Sequence, residues 1–578
     1  MQHRILETFP TLKQVALIFA TLAMGLNIAC SSGSGSSDGS GDVDIDTDSD
    51  TDTDSDSDTD ADTDTDSDTD TDTDTDSDTD SDSDSDTDSQ PTDSDSDTDF
   101  PCTGMCLAHC VSWGGAIQPG VCEAPLRCCD YHPEFESDDY SDADADTDSD
   151  TDSDSDTDSD TDSDTDTEDM PVCEVPDASA FVTNTSIGHG GTNYRESDHF
   201  VVFDAPNPDA VLNFMEAAHQ CFVEEWCWRS PGLSIVRDDN VYNKFNIYVL
   251  SDVGGAAGVM QYDAGAGLAF IEVLPSQVGI PEVTVHEFGH ALTLTEEGWV
   301  DQANTGFWWE SVANFVADTF VTSPFCEQAR TEHGIASGAS IIDLNTTIGN
   351  AHWAICMNQN YYQAWPFLTY LTNNPDDYPG LGRMVLPEMF RNHLGNNETP
   401  LHVLERLAAP VSVQTILGRY WARMAYLDIE HPQAQDAFFN ARNRLNYNSL
   451  AATGTDTWQV RAERKPMYGG ANIIPLEITG DGLVEVTVVN LGNGLSESNF
   501  TATLSILAAD GTVRYVDLPE GEGSATVESD EEASLVVVNT PDTLYMYNPQ
   551  DIGATETSDP ASKGLDYEVQ IVGAAPAN

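Results

Sequence analysis

The sequence predicts an α+β protein: a mainly helical domain containing an edge-stranded sheet, then a C-terminal β-sandwich, with disordered Asp-rich linkers and a small disulfide-rich module on the N-terminal side. Three observations carry this. Between residues 211 and 446 apolar side chains recur mostly at helical spacing, as in 399–407, 411–429 and 433–445. After Pro466 the texture changes to short alternating runs at 483–489, 502–507, 512–516, 533–538 and 567–572, separated by Gly, Asp, Asn and Pro. Two tracts nearer the start are Ser/Thr-Asp repeats with almost no apolar residue, so they bury too little surface to offset the entropy of ordering.

In chain order, Arg4 and Lys13 flank the start of an apolar run at 15–26, the length of a signal-peptide core and too short for a stable membrane span. Residues 1–29 therefore read as a signal peptide. Cys30, between Ala29 and Ser31-Ser32, resembles a bacterial lipoprotein cleavage site, which implies acylation and a membrane anchor through an N-terminal lipid, with outer-membrane sorting. Asn27 stands where that pattern prefers Leu, which keeps ordinary cleavage and secretion as the alternative. Residues 30–99 form the first linker, with 29 aspartates, and 134–170 the second, with 19 acidic residues; neither holds a Lys or Arg. Much of the formal charge of −83 resides there. With so few cations, direct nucleic-acid binding is not expected, since phosphate needs Lys and Arg. Diffuse cation condensation fits the repeats better than a calcium loop, because the turn glycine and terminal glutamate are missing.

Between the linkers, residues 100–133 hold Cys102, Cys106, Cys110, Cys122, Cys128 and Cys129. In an exported chain this density signals three disulfides, with fifteen possible connectivities, and the spacing lacks the paired Cys-x-x-Cys of a zinc cluster. The domain at 171–465 carries five more cysteines, Cys173, Cys221, Cys227, Cys326 and Cys356, hence two bridges and a spare thiol. Cys326 with Cys356 and Cys221 with Cys227 is one pairing that the spacing allows. Residues 466–578 form the sandwich.

The chemistry is concentrated in Val-Thr-Val-His286-Glu287-Phe-Gly-His290. On a helix, residues four apart share a face, so His286 and His290 can present two imidazoles to one metal ion, while Glu287 is placed to reach a bound water as general base. A catalytic zinc needs a third protein ligand. Glu310 fits: it lies in an apolar helical run from 306 to 321, where an unpaired carboxylate would be costly. Asn314, one turn on, is placed to accept a hydrogen bond from a ligand imidazole.

His-Glu-x-x-His with a glutamate twenty residues beyond the second histidine resembles the gluzincin metallopeptidases, the thermolysin-like class with a zincin-like catalytic domain. The resemblance implies one Zn2+ bound by His286, His290 and Glu310, with Glu287 as catalytic base. One departure is Asn314, where that class usually has Asp. The metzincin pattern is absent, since Thr293 and Glu296 occupy its Gly and His positions. The motif, with Glu-Ser-Asp-His-Phe-Val-Val at 196–202 and Tyr361-Tyr362-Gln-Ala-Trp365-Pro-Phe, also resembles an uncharacterised family of secreted bacterial proteins. The run at 266–273 reads as a strand, either an edge that pairs with substrate, by analogy with gluzincins, or an ordinary buried strand, and Tyr361, Tyr362 and His352 are the candidate oxyanion donors. The expected function is hydrolysis of peptide or protein substrates at the cell surface or outside the cell. The rival readings are a surface adhesion protein on a metallopeptidase scaffold and a metal-dependent hydrolase of other bonds.

Overall fold

The computed structural model describes residue 173 and residues 175–577 apart from 497. The predicted signal peptide, the Cys30 anchor, both acidic linkers and the six-cysteine module lie outside the described residues. No described helix is long and apolar enough to cross a membrane.

A mixed sheet comes first. Strands β1 (Tyr194–Glu196), β2 (Phe200–Phe203), β3 (Phe245–Val249), β4 (Gly258–Asp263) and β5 (Leu268–Val273) lie in the order β1-β2-β3-β5-β4. β2, β3 and β5 run parallel, and the edges β1 and β4 run antiparallel to their neighbours. Parallel neighbours require a crossover, and helix α1 (Pro208–His219) lies within the one joining β2 to β3. The inner strands are apolar on both faces, as strands covered on both sides must be. Phe200, Val202, Ile247 and Ile271 join the main core, while Val201, Phe203, Tyr248 and Phe270 cluster on the opposite face.

Of the two readings of 266–273, the buried strand holds, and the edge lies one strand away. β5 is hydrogen-bonded on both sides, to β3 and β4, and β4 is the edge. A tight turn with Gly267 at φ 68 folds the two into a hairpin, and the nearly continuous burial of β5 suits the interior position better than the half-buried β4 does.

Helix α2 (Pro281–Glu296) has proline in its first turn, where a missing N–H costs nothing, and stops at Glu297 with a left-handed φ of 65. Helix α3 (Trp308–Thr322) crosses it at Gly289, where an added Cβ would come 2.9 Å from Ala313 Cα. Only glycine permits that approach. The crossing is packed by Val285, Phe288 and Leu292 against Val312, Phe315 and Val316, all essentially inaccessible to water. Truncating one such side chain costs about 2–5 kcal/mol.

Helices α4 (Trp365–Asn373), α5 (Val385–Arg391), α6 (Pro400–Leu407), α7 (Val413–Met424) and α8 (Pro432–Ala441) follow. The helix expected over 411–429 stops at Met424, since Leu427 and Glu430 adopt left-handed φ values that no α-helix continues through.

The C-terminal part has ten strands: β6 (Leu450–Gly454), β7 (Thr457–Val460), β8 (Ala471–Ile478), β9 (Leu483–Gly492), β10 (Phe500–Leu507), β11 (Val513–Asp517), β12 (Glu522–Thr526), β13 (Glu532–Asn539), β14 (Asp566–Val572) and β15 (Ala574–Pro576). They form two antiparallel sheets, β11-β10-β13-β8-β15 and β12-β9-β14-β7-β6. Leu504, Ile506, Leu535 and Val537 of the first share a core with Val484, Val486, Val569 and Ile571 of the second. The boundary expected at 466 is too late, because β6 and β7 already belong to the second sheet. Leu-Ala-Ala-Thr-Gly and Thr-Trp-Gln-Val carry too few apolar residues to reveal alternation.

The first sheet is covered on its outer face as well. Val536, Val538 and Ile473 meet Ile416 and Leu417 of α7 in the main core, Ser505 Oγ donates to Ala422 O (2.7 Å), and Trp421 Nε1 donates to Gly469 O (2.7 Å).

Among the described residues the disulfides correct the expected pairing: they are Cys173–Cys227 and Cys221–Cys326, and the free thiol is the buried Cys356. Cys221 lies within a π-helical turn at Gln220–Glu225 and Cys227 just beyond it, and each has a different partner. Cys356 packs inside, with its Sγ 3.9 Å from Ser311 Oγ on α3.

Candidate metal centre

The close crossing at Gly289 is what assembles the site. It sets the first turn of α3 beside the middle of α2, so that Glu310 meets His286 and His290. Glu310 Oε2 lies 3.2 Å from His286 Nε2 and 3.3 Å from His290 Nε2, yet it makes no hydrogen bond. Short approach without hydrogen-bond geometry is what donors show when they aim at a common point. Two ligands of a tetrahedral zinc at ~2.0–2.1 Å stand about 3.3 Å apart. Both carboxylate-to-imidazole distances thus match an edge of such a tetrahedron, and the carboxylate oxygen they share is buried and otherwise unsatisfied.

The tautomer is set from behind. Asn314 Nδ2 donates to Tyr362 O (2.6 Å), which leaves Asn314 Oδ1 facing His286 Nδ1 at 2.7 Å. His286 therefore donates from Nδ1 and turns the lone pair of Nε2 toward the shared point. The local charges agree. Burial would push His286 down, but Glu310 and Glu287 beside it raise it to about 8. Burial likewise pushes Glu310 up, and the two imidazoles overcome this and hold it well below the usual carboxylate range.

Glu287 sits apart from the three donors. It is 7% exposed, and burial raises its pKa against the pull of both histidines and a backbone hydrogen bond from Met260 on β4. β4 packs directly on it: a Cβ on Gly258 would fall 2.8 Å from Glu287 Cγ. The cleft above, about 100 Å³, is lined by Gly258, Val259 and Met260 of the β4 edge, by Phe307, Trp309 and Tyr362, and by Gln550 from the C-terminal part. A larger cavity, about 990 Å³, opens between α8 and the β8 and β13 strands, lined by Arg442, Glu528, Glu531 and Glu532 and none of the donors.

Of the three expected oxyanion donors, the structure brings only Tyr362 to the cleft. Burial and the nearby Glu310 negative charge hold its phenol far above the usual pKa. Tyr361 instead stacks on Phe307 at 4.0 Å, with burial pushing it up to about 12. His352 lies at the junction with the C-terminal sheets, where its carbonyl accepts from Met467 N (2.8 Å); burial and nearby Arg464 push its imidazole down to about 3.

A second His/Glu group escapes sequence reading altogether: His199, His219 and Glu224. Its geometry differs. His199 Nδ1 pairs with Glu216 Oε2 (2.6 Å) and His219 Nδ1 with Glu224 Oε1 (3.0 Å), and the rings stack at 3.8 Å and 10°. Stacked rings send their in-plane lone pairs side by side, whereas His286 and His290 stand 4.9 Å apart at 87° and converge. The second group is read as a packed pair of imidazole–carboxylate contacts.

Fold and site together define the class: an α+β chain in which a buried His-Glu-x-x-His helix is crossed by a helix carrying a third donor. Residues 187–578 match the family of unknown function DUF6055, and the chain belongs to that family. No curated protein matches it.

Proposed function

We propose that the protein is a zinc-dependent metallopeptidase of gluzincin type, acting on extracellular or cell-surface proteins. The observation that carries this reading is the spacing of Glu310 Oε2 from the two imidazole nitrogens, 3.2 and 3.3 Å, together with a buried, separate Glu287. Zinc held by His286, His290 and Glu310 would supply Lewis acidity to a substrate carbonyl and to water. Glu287, its pKa raised by burial, takes the proton of the attacking water as the C–O bond forms, then delivers it to the amide nitrogen as the C–N bond breaks. Tyr362, kept protonated, is a phenol donor beside the cleft for the developing oxyanion. β4, the outermost strand of its sheet, offers main-chain groups to extended substrate backbone.

Export is part of the proposal, with Cys30 as a lipid anchor; the disulfides Cys173–Cys227 and Cys221–Cys326 support an oxidising compartment. The test is a pair of variants assayed for metal and for cleavage of a peptide library. Glu287→Gln should keep one zinc per chain and lose turnover by at least a hundredfold, and His290→Ala should lose the metal. Zinc-loaded wild type that cleaves no peptide would sink the peptidase reading and leave the adhesion protein and the hydrolase of other bonds, which a wider substrate screen separates.

A further inference from the structure

The cleft has one wall that does not come from the helical part. Residues 540–565, between β13 and β14, run back across the molecule and are pinned to the segment preceding Tyr362. Tyr547 Oη donates to Cys356 O (3.0 Å), Asn358 N donates to Ile552 O (3.1 Å), and Asn358 Nδ2 reaches Gln550 O (3.4 Å). Tyr547 and Pro549 are buried, and Gln550 N is held by Asn548 Oδ1 (3.1 Å) in a 3-10 turn. The backbone at 550 is thus fixed, and its side chain extends to the cleft. Its amide nitrogen lies 3.1 Å from where a Cβ on Gly306 would be, so the absent side chain of Gly306 is what admits it.

No described protein group hydrogen-bonds the Gln550 carboxamide, although every other polar atom of this turn named above is paired. A carboxamide offers an acceptor and two donors, the complement of a peptide unit. Among the described residues no Lys or Arg lines the cleft, and the Gln550 carboxamide and the β4 main chain are among the neutral hydrogen-bonding groups there.

We propose that Gln550 is a substrate-positioning residue that hydrogen-bonds the backbone of a peptide lying along β4, so that the C-terminal part is a component of the substrate cleft. This rests on the metallopeptidase reading. A hydrogen bond of this kind corresponds to about a tenfold change in affinity.

The experiment uses the full zinc-loaded chain and two probes, acetohydroxamate, which engages the metal alone, and a tripeptide hydroxamate, which also needs the cleft. Gln550→Ala should weaken the tripeptide probe about tenfold and leave both acetohydroxamate binding and zinc content unchanged. Gln550→Glu, which keeps the length but loses the donors, should weaken it as well. Equal tripeptide affinity in Gln550→Ala and wild type would overturn the proposal. Failure of wild type to bind either probe would sink the zinc reading itself, and the positioning role with it.

Discussion

Asn314 holds His286 by its side-chain oxygen at 2.7 Å while its amide nitrogen is anchored 2.6 Å from Tyr362 O, so one residue couples a candidate metal donor to the segment that carries the cleft phenol. Asn314→Ala should free the His286 ring and leave its Nδ1 unpaired, weakening zinc about 10–100-fold in chelator competition. Asn314→Asp should tighten it relative to Ala, because a carboxylate makes the imidazole a stronger donor.

Gly258 offers a way to disturb the base without touching the donors. A methyl group there would press on Glu287 Cγ from 2.8 Å. Gly258→Ala should therefore keep its zinc and lose turnover by at least tenfold, measured as kcat/KM beside metal content.

Gly289 should behave differently. A Cβ at this position meets backbone of α3 at 2.9 Å, which can yield only by moving the helix. Gly289→Ala is expected to cost about 1–3 kcal/mol in denaturant unfolding and to weaken metal binding at the same time.

Acid should destabilise the fold through the second His/Glu group. Burial lowers the pKa of His219 from 6.5, so below that pH the unfolded chain takes up a proton that the folded one refuses. Glu216, which burial would raise but His199 pulls down, and Glu224, lowered by its bond to His219, act in the same direction as pH falls through 4.5. Each contribution is present above the unfolded pKa and lost on acidification. Stability should fall by up to about 1.4 kcal/mol per pH unit from His219 alone below pH 6.5, and His219→Gln should flatten that part of the profile in calorimetry.

Disulfide mapping by mass spectrometry should recover 173–227 and 221–326 peptides and an alkylatable Cys356 only after denaturation. Cys221→Ser with Cys326→Ser should cost about 2–5 kcal/mol.

What the sequence made legible follows from range. His286, Glu287 and His290 share one helical turn, and Glu310 lies in a run whose apolar surroundings already mark it, so local periodicity sufficed to propose them. Asn314 follows from the same helix. Which strand forms the edge depends on how the β4–β5 hairpin docks on β3, and hydropathy at 266–273 cannot distinguish an inner strand from an edge. The cysteine partners, the stacked His199 and His219, and Gln550 are fixed by contacts between segments far apart in the chain. Gly258, Gly289 and Gly306 were visible as letters, but the atoms they make room for were not.

The cover of α7 also imposes an order on folding. Ile416 and Leu417 face a sheet whose strands β8, β10 and β13 are encoded some 50 to 120 residues later. A chain emerging from its N-terminus carries α2 and α3 well before that sheet exists. The helical part therefore completes its packing only after the final strands appear, so a chain cut short before β13 would leave the α7 face without its cover.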